Sequence, residues 1–527
     1  MTIQNSFIMS QAVRDAYARG EEDETLEPLV LADKSGQPLG RFAEGDSVIF
    51  YNIRGEREVE LTESFTRDSF NKFSIIRNLN IKFTTMIEYM KGLDVDVAFP
   101  PDERVHDTLS EILAQHGRTQ VKITEAEKAI HLGFFFNGKD SRFLKGEERI
   151  VVPTRKDVAL FDEAPEMSIE KITKAIIEKI HDNRHDVIIA NFPNVDVVGH
   201  IENREAIIKA VETVDHNTGL VIKEALEQDV AVLVTADHGT VEKWLYPDGA
   251  IDTGHTDSPV PFILVEKHST IKLRSNGELS DIAPTVLQLL GIPKPTIMTG
   301  ISLIDEDVPS GNRTGRRILL LILDGWGVNE NDEGNLIAAA STPVMDKLSN
   351  NYPVSLLQAA GEAVGLPEGT VGNSEVGHLH IGAGRRIYSD RVRINMAIKD
   401  GSFFENRAFL NAIHTARSSL TALHLLGIVS FFSSHGSVNH LFALMELAKR
   451  EGVQKLYIHA MLGRRGERPE SGAIYIEKIE KKCEELQLGK VVSVIGRYWS
   501  MDREENWDRI EKTYRMLAYG EGNHVTE

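Results

Sequence analysis

Three acidic and three imidazole side chains stand where a folded chain could gather them. Asp324 closes the apolar run 318–323 in the string Asp324-Gly325-Trp326-Gly327, and Asp237 and His238 follow the run 230–235 as neighbours. Asp196 and His200 lie four residues apart after the run 187–190, and His255 sits in a Gly-His-Thr loop just before 260–265. Carboxylate oxygens and imidazole nitrogens together are the donors of a mixed oxygen and nitrogen metal site. Three imidazoles disfavour Ca²⁺ and Mg²⁺, and the carboxylates disfavour a closed structural zinc site, so a pair of Mn²⁺ or Zn²⁺ ions suits the set. Each residue alone also has an ordinary reading. An Asp after a strand commonly caps a helix or forms a turn, and a lone surface His usually has no role. By pattern alone the two readings stand level.

A second string, Gly372-Asn373-Ser374-Glu375-Val376-Gly377-His378, places a serine where a helix opens. Backbone amides at a helix start favour an anion, and a hydroxyl there could act as a nucleophile. Standing alone, the same string reads as a plain Ser N-cap. It is neither a Walker loop nor a Gly-x-Ser-x-Gly elbow. Basic residues form a third group. Arg54 and Arg57 follow the run 48–51, Arg465 follows 456–460, and Arg497 and Arg503 follow 491–495. Arginines beyond strand ends suit bidentate capture of phosphate or carboxylate, although any one of them reads as a solvated surface residue. Lys128 and His435 carry no signal by themselves.

These side chains need elements to hold them. Short β-branched runs at 48–51, 150–152, 187–190, 230–235, 260–265, 318–323, 423–429, 456–460 and 491–495 read as buried strands. They alternate with helical periods at 168–181, 205–228, 281–290, 440–450 and 473–485. That alternation predicts α/β architecture with mostly parallel sheets, whose ligands gather at the carboxyl ends of strands. The polar stretch 305–317, with Pro309, Gly311 and Gly315, reads as a solvated linker whose change from acidic to basic serves solvation only.

Composition narrows the function classes. The 527 residues carry 59 Lys and Arg against 79 Asp and Glu, a formal charge of −20. Such a surface repels nucleic acid and anionic lipid, so an anionic substrate needs a local basic pocket. Cys483 is the single cysteine, which excludes an internal disulfide and fits a reducing compartment. The run 318–323 is too short to span a bilayer, and residues 1–14 show no secretory pattern, so a cytoplasmic protein is expected.

Taken together, the motifs resemble cofactor-independent (2,3-bisphosphoglycerate-independent) phosphoglycerate mutases of the alkaline phosphatase superfamily. The strings that carry the resemblance are Leu-Ile-Leu-Asp324-Gly-Trp-Gly, Gly-Asn-Ser374-Glu-Val-Gly-His, Thr-Ala-Asp237-His238-Gly and Gly-Arg497-Tyr-Trp-Ser-Met-Asp-Arg503. The stretches 98–120 and 361–384 match as well. The order is reversed, because the segment 298–304 that ends the family's chains here precedes the Asp-Gly-Trp-Gly strand. The chain thus resembles a circular permutant, with old ends joined through 305–317 and new ends opened near Gly520.

The resemblance implies two three-layer α/β domains. A phosphotransferase domain would be built from 1–99 and 389–527, and an alkaline-phosphatase-like metal domain from 100–388, containing the linker. It implies two divalent ions, Mn²⁺ foremost with Mg²⁺, Co²⁺ or Zn²⁺ also fitting, and no 2,3-bisphosphoglycerate. Asp196, His200 and His255 would hold one ion, and Asp324, Ser374, Asp237 and His238 the other. Ser374 would be the nucleophile and His435 the acid and base. Arg54, Arg57, Lys128, Arg465, Arg497 and Arg503 would clamp the substrate. The expected activity is interconversion of 3- and 2-phosphoglycerate through a phosphoserine, by a monomer that binds neither nucleic acid nor membrane. A phosphatase or other phosphotransferase of the superfamily, and a non-catalytic metal-binding relative, are the alternatives. Two stretches depart from the family pattern. Val429-Ser-Phe431-Phe432-Ser-Ser-His435-Gly-Ser437 lacks the Asp, two glycines and second His of Val-Ser-Asp-Gly-Gly-Val-His-Ser-His. His459-Ala-Met-Leu-Gly463-Arg464-Arg465-Gly466 lacks both Asp residues of His-Ala-Phe-Leu-Asp-Gly-Arg-Asp. These changes imply weaker retransfer to glycerate and a raised share of phosphate release.

Overall fold

Strands whose side chains are buried on both faces fix the centre of each sheet. The computed structural model describes residues 7–101, 104–267, 271–305, 316–430, 433–463 and 470–526. Phe431, Phe432, Arg465, Gly466 and most of the linker lie outside the described residues. The chain divides into two compact units, Met1–Pro101 with Asp390–Glu527, and Asp102–Ser389. In chain order the strands are β1 (Leu29–Ala32), β2 (Ser47–Phe50), β3 (Lys82–Ile87) and β4 (Asp96–Phe99) in the first unit. The second unit holds β5 (Gln120–Glu125), β6 (Glu147–Val152), β7 (Val187–Phe192), β8 (Val230–Thr235), β9 (Val260–Val265), β10 (Asn276–Glu278), β11 (Arg317–Leu323) and β12 (Val354–Gln358). The first unit then closes with β13 (Leu423–Ile428), β14 (Leu456–Leu462), β15 (Lys490–Gly496) and β16 (Asn523–Thr526).

The second unit's sheet runs β10-β12-β9-β8-β11-β7-β5-β6. Its centre is β11, parallel to β7 and β8 with Ile318 opposite Val187 and Ala231. Only β9 runs against its neighbours β8 and β12. Every residue of β7, β8 and β9 is buried, so both faces of the sheet are covered, as the continuous apolar runs predict. Helices Ile169–Asp182 and Arg204–Glu227 pack together and contribute Ile172, Ile176, Ile207 and Val214 to the core.

The linker's basic end does more than meet solvent. Arg317 donates to the carbonyls of Ile180, Lys179 and His185 at 2.7, 2.9 and 3.0 Å. Ile180 and Lys179 lie in the last turn of the helix Ile169–Asp182, so the guanidinium satisfies carbonyls that the helix leaves unpaired. Arg316 pairs with Glu266. The reading of this end as solvation only is therefore corrected: composition shows charge, but not what the charge will meet.

The first unit's sheet runs β16-β1-β15-β14-β13-β2-β3-β4 and is parallel except where β1 meets β15. Across its interior runs a chain of polar groups. His424 Nε2 faces Asp46 Oδ2 at 3.0 Å, His424 Nδ1 faces His459 Nε2 at 2.9 Å, and His459 Nδ1 faces Ser493 Oγ at 2.7 Å. Burial lowers the His424 pKa despite Asp46, and burial with the neighbouring His424 pushes His459 well below its ordinary range. Burial, then Arg391, lowers His440 to about 3. The folded pKa values are depressed, so these imidazoles stabilise the fold fully above about pH 6.5, where the unfolded chain also leaves them neutral. As pH falls below that value each costs about 1.4 kcal/mol per pH unit, until its folded pKa is reached. Amide exchange in β13 and β14, corrected for intrinsic rate, should therefore speed up between pH 7.5 and 5.5. Equal protection at both pH values would contradict this.

Candidate metal centre

In the second unit the carboxyl ends of four parallel strands deliver the acidic and basic groups to one place. β5 leads into the turn Ala126–Lys128, β7 into the short helix Asn194–Gly199 that bears Asp196 and ends at His200, β8 into Asp237 and His238, and β11 into Asp324. β9 runs the other way, so the loop before it brings His255 to the same rim. Ser374 is the first residue of the helix Ser374–Ala383. The cap of that helix is Asn373, whose side chain accepts from the Val376 amide at 3.1 Å. The plain N-cap reading of Ser374 thus fails, because its neighbour takes the capping role and leaves the hydroxyl to the site.

Lys128 lies inside the carboxylate cluster. Its ammonium donates to Asp196 Oδ2 at 2.6 Å, Asp324 Oδ1 at 2.8 Å and Ser374 Oγ at 2.6 Å. His238 Nε2 stands 3.0 Å from the same hydroxyl, which donates to Asp324 Oδ1 at 3.3 Å. Burial opposes the charge on both cations, but the carboxylates of Asp324, Asp196 and Asp237 outweigh it. They hold Lys128 well above its ordinary pKa and raise His238 to about 10. Burial likewise opposes the Asp324 and Asp196 carboxylates, and Lys128 foremost pulls both well below the usual range. Two cations on one serine oxygen would favour its alkoxide.

The donor set fits divalent metal. Asp196, His238 and His255 form one group whose ligand atoms lie within 4.8 Å of one another, and Asp237, His238 and Asp324 form another. His200 Nε2 lies 3.4 Å from Asp196 Oδ1 and 3.1 Å from His255 Nε2. Each imidazole turns its other nitrogen to a carbonyl: His200 Nδ1 to Thr253 at 2.7 Å, His255 Nδ1 to Gly372 at 2.9 Å, and His238 Nδ1 to Gly239 at 3.1 Å. With Nδ1–H committed to a carbonyl, Nε2 is the nitrogen that can ligate. Three buried carboxylates against the Lys128 ammonium and the His238 imidazolium leave one excess negative charge, and among the described residues the buried Asp237 Oδ2 accepts no hydrogen bond, its nearest imidazole being His378 Nδ1 at 3.2 Å. A bound cation would answer both.

Sequence reasoning missed the support behind these ligands. Asn191 in β7 donates to Asp324 Oδ2 at 2.7 Å and reaches His378 Nε2 at 3.1 Å, while His378 Nδ1 donates to the Ser374 carbonyl at 2.9 Å. Glu242 accepts from the Thr240 amide at 3.0 Å and from the Thr256 hydroxyl, tying the His238 and His255 loops together. Nothing in their spacing marks these residues. Gly325 has a steric reason to follow Asp324: at φ +83°, an added Cβ would lie 2.8 Å from the Asp196 backbone.

The other candidate residues belong to the first unit. Arg54 and Arg503 meet on Glu56 at 3.0 and 2.8 Å, and Arg57 donates to the Met501 carbonyl at 3.1 Å. Arg497 opens the turn Arg497–Ser500 directly after β15, and His435 is buried in the segment after β13. Arg465 lies outside the described residues.

Residues 25–294, just over half of the chain, match the profile of the metalloenzyme superfamily. The chain belongs to that superfamily. Residues 394–527 match the N-terminal profile of 2,3-bisphosphoglycerate-independent phosphoglycerate mutases. Among curated proteins, the chain is 41% identical over 297 residues to a 2,3-bisphosphoglycerate-independent phosphoglycerate mutase of Methanococcoides burtonii, covering 56% of this chain and 57% of that protein. It is 41% identical over 298 residues to the mutase of that name from Listeria welshimeri, covering 56% and 58%. To the mutase of that name from Lachnoclostridium phytofermentans it is 50% identical over 204 residues, covering 39% and 40%. The chain thus spans little more than half the length of the relatives it matches over the longer stretches. A crystal structure of Leishmania mexicana phosphoglycerate mutase at low cobalt concentration overlaps 52% of this chain and 53% of that one, with 28% identity and a TM-score of 0.36.

Proposed function

We propose that the chain is a phosphoglycerate mutase that moves the phosphoryl group between the 3- and 2-oxygens of glycerate through a phosphoserine on Ser374. The observation that carries this reading is the Ser374 hydroxyl itself, buried at a helix start with Lys128 Nζ at 2.6 Å and His238 Nε2 at 3.0 Å. The names of the relatives support it. In the forward half-reaction Ser374 Oγ attacks phosphorus, and His435 gives a proton to the departing glycerate oxygen. Lys128 and the amides at the helix start favour negative charge on the phosphoryl oxygens. Arg54, Arg57, Arg465, Arg497 and Arg503 hold the substrate's anionic groups, and the second half-reaction reverses the first. Bound divalent ions would supply Lewis acidity to the serine oxygen and the phosphoryl group. We assign two such ions, Mn²⁺ foremost, to Asp196, His200 and His255 and to Asp324, Ser374, Asp237 and His238.

A circular permutation accounts for the order of the motifs. Its support is that an N-terminal profile matches the last quarter of this chain, after the metalloenzyme match, while single collinear alignments stop near 300 residues. We further propose a monomer acting in the cytoplasm without 2,3-bisphosphoglycerate. No described helix is long and apolar enough to cross a membrane.

A second reading, phosphate release to water, is favoured by the altered segment after β14. Gly463 stands at φ +105°, where an added Cβ would lie 2.8 Å from Glu24 Cα and 3.0 Å from Arg497 Cγ. An Asp side chain has no room there, so Gly463→Asp should destabilise the protein rather than restore mutase activity. Gly466→Asp should shift products from phosphate toward 2-phosphoglycerate by roughly 10–100-fold, the worth of one charged hydrogen bond of about 1.5–3 kcal/mol. The test feeds 3-phosphoglycerate with Mn²⁺ and follows 2-phosphoglycerate and free phosphate separately. Mutase turnover with negligible phosphate in the unaltered protein would overturn the second reading, and release of phosphate alone would overturn the first.

A further inference from the structure

His435 needs a partner that its own segment lacks. From Val429 to Ser437 there is no acidic residue, yet an imidazole that is to deliver a proton from one nitrogen must have the other nitrogen fixed. The partner comes from a distant part of the chain. Glu58, the residue before the helix Val59–Thr66, is fully buried and places Oε1 3.0 Å from His435 Nδ1.

The geometry points to Glu58 as the residue that positions His435, forming a buried carboxylate–imidazole dyad. A carboxylate accepts only, so the ring's proton sits on Nδ1 and Nε2 is the nitrogen that exchanges protons. The carboxylate is itself held from three sides. Glu58 Oε1 also accepts from Asn52 Nδ2 at 2.7 Å, and Glu58 Oε2 accepts from the Arg57 amide at 3.0 Å. Asn52 cannot turn over, because its Oδ1 accepts from the Ile428 amide at 2.8 Å at the end of β13. The His435 carbonyl accepts from the Ile53 amide at 2.7 Å, which joins the two segments by backbone as well. A buried carboxylate with three donors is satisfied and rigid, whereas the same carboxylate unpaired would be costly. Its site is therefore built to hold a charge beside His435.

The chemistry is a proton transfer that balances at His435. The ring enters with protons on both nitrogens and gives the Nε2 proton to the departing oxygen. It ends neutral, with the proton still on Nδ1 and hydrogen-bonded to Glu58. In the return step Nε2 takes the proton back from the attacking hydroxyl. Glu58 never takes the proton. It keeps one tautomer and balances the charge while the ring is cationic. The acid role rests on the mutase reading, but the tautomer does not.

The test uses the full chain with ¹⁵N-labelled histidine and Zn²⁺ in place of paramagnetic Mn²⁺, the His435 signals being assigned by their loss in His435→Gln. Unaltered protein should show His435 protonated at Nδ1. Glu58→Ala should move a large share of the population to the Nε2–H form and lower kcat by about 100-fold, with KM changed by less than about threefold. Glu58→Gln keeps the volume and can still offer an oxygen to Nδ1–H. It should keep the tautomer but lose the charge, with kcat down about 10-fold. If Glu58→Ala does not fold, Glu58→Gln decides through the same split of kcat from KM. An unchanged Nδ1–H signal in a folded Glu58→Ala protein, or unchanged kcat in Glu58→Gln of an active enzyme, overturns the dyad. A tautomer shift in a protein that turns over no phosphoglycerate supports the dyad and removes the mutase reading, so the two failures are distinct.

Discussion

Replacing Ser374 with alanine should abolish phosphoglycerate turnover and phosphate release together. The hydroxyl is the only group in the cluster that accepts from both Lys128 and His238 while donating to Asp324. Loss of an activated nucleophile removes a covalent path rather than a single contact, and comparable deletions cost roughly 10⁴–10⁶ in rate. The fold should tolerate the change, because Asn373 rather than Ser374 caps the helix. Thermal unfolding of Ser374→Ala should therefore match the unaltered protein within a few degrees. Residual turnover above about one part in 10³ would assign the phosphoryl group to water or another acceptor.

Metal removal is the second large effect. Chelation should lower activity by at least about 10³-fold, and Mn²⁺ should restore most of it, with two ions per chain by elemental analysis. The three Nδ1 contacts to Thr253, Gly372 and Gly239 leave three Nε2 atoms near Asp196. An Asp196-centred group and an Asp324-centred group share His238. His255→Ala removes a ligand from the first group only, so that protein should retain about one ion per chain while losing activity. A single ion in the unaltered protein, or two in His255→Ala with full activity, would contradict the assignment. Without metal the site holds Lys128 and a charged His238 against three carboxylates, and the chelated protein should stay folded for that reason.

The parts of this site legible in the sequence are those set by one strand end at a time. Asp324 after β11 and the pair Asp237 and His238 after β8 were visible because a continuous apolar run fixes where the strand stops. Asp196 and His200 were visible because four residues make one helical turn. Ser374 was ambiguous for a physical reason: Asn and Ser both suit an N-cap, and only the bond from Asn373 to Val376 decides which one does it. Contacts between distant segments left no mark. Glu58 and His435 are 377 positions apart, and Asn191 reaches Asp324 from the neighbouring strand. In the fold, the central strands of both sheets are legible as continuous apolar runs. β3 and β4 at one end of the first sheet, and the buried β5 inside the second, leave no such signal, because Lys82-Phe-Thr-Thr-Met-Ile, Asp96-Val-Ala-Phe and Gln120-Val-Lys-Ile-Thr-Glu have no continuous apolar run. Arg317 looks solvated by composition, which carries no information about the helix end it caps.

A phosphoryl group that passes through Ser374 must be caught there before it reaches product. Rapid quenching of Mn²⁺-loaded protein with 3-phosphoglycerate labelled in its phosphate tests it in one experiment. Label should appear on Ser374 within the first turnover, then in 2-phosphoglycerate, with a raised share of free phosphate and phosphoserine that accumulates because return to glycerate is slowed. Labelled product with no label on the protein at any time would contradict it.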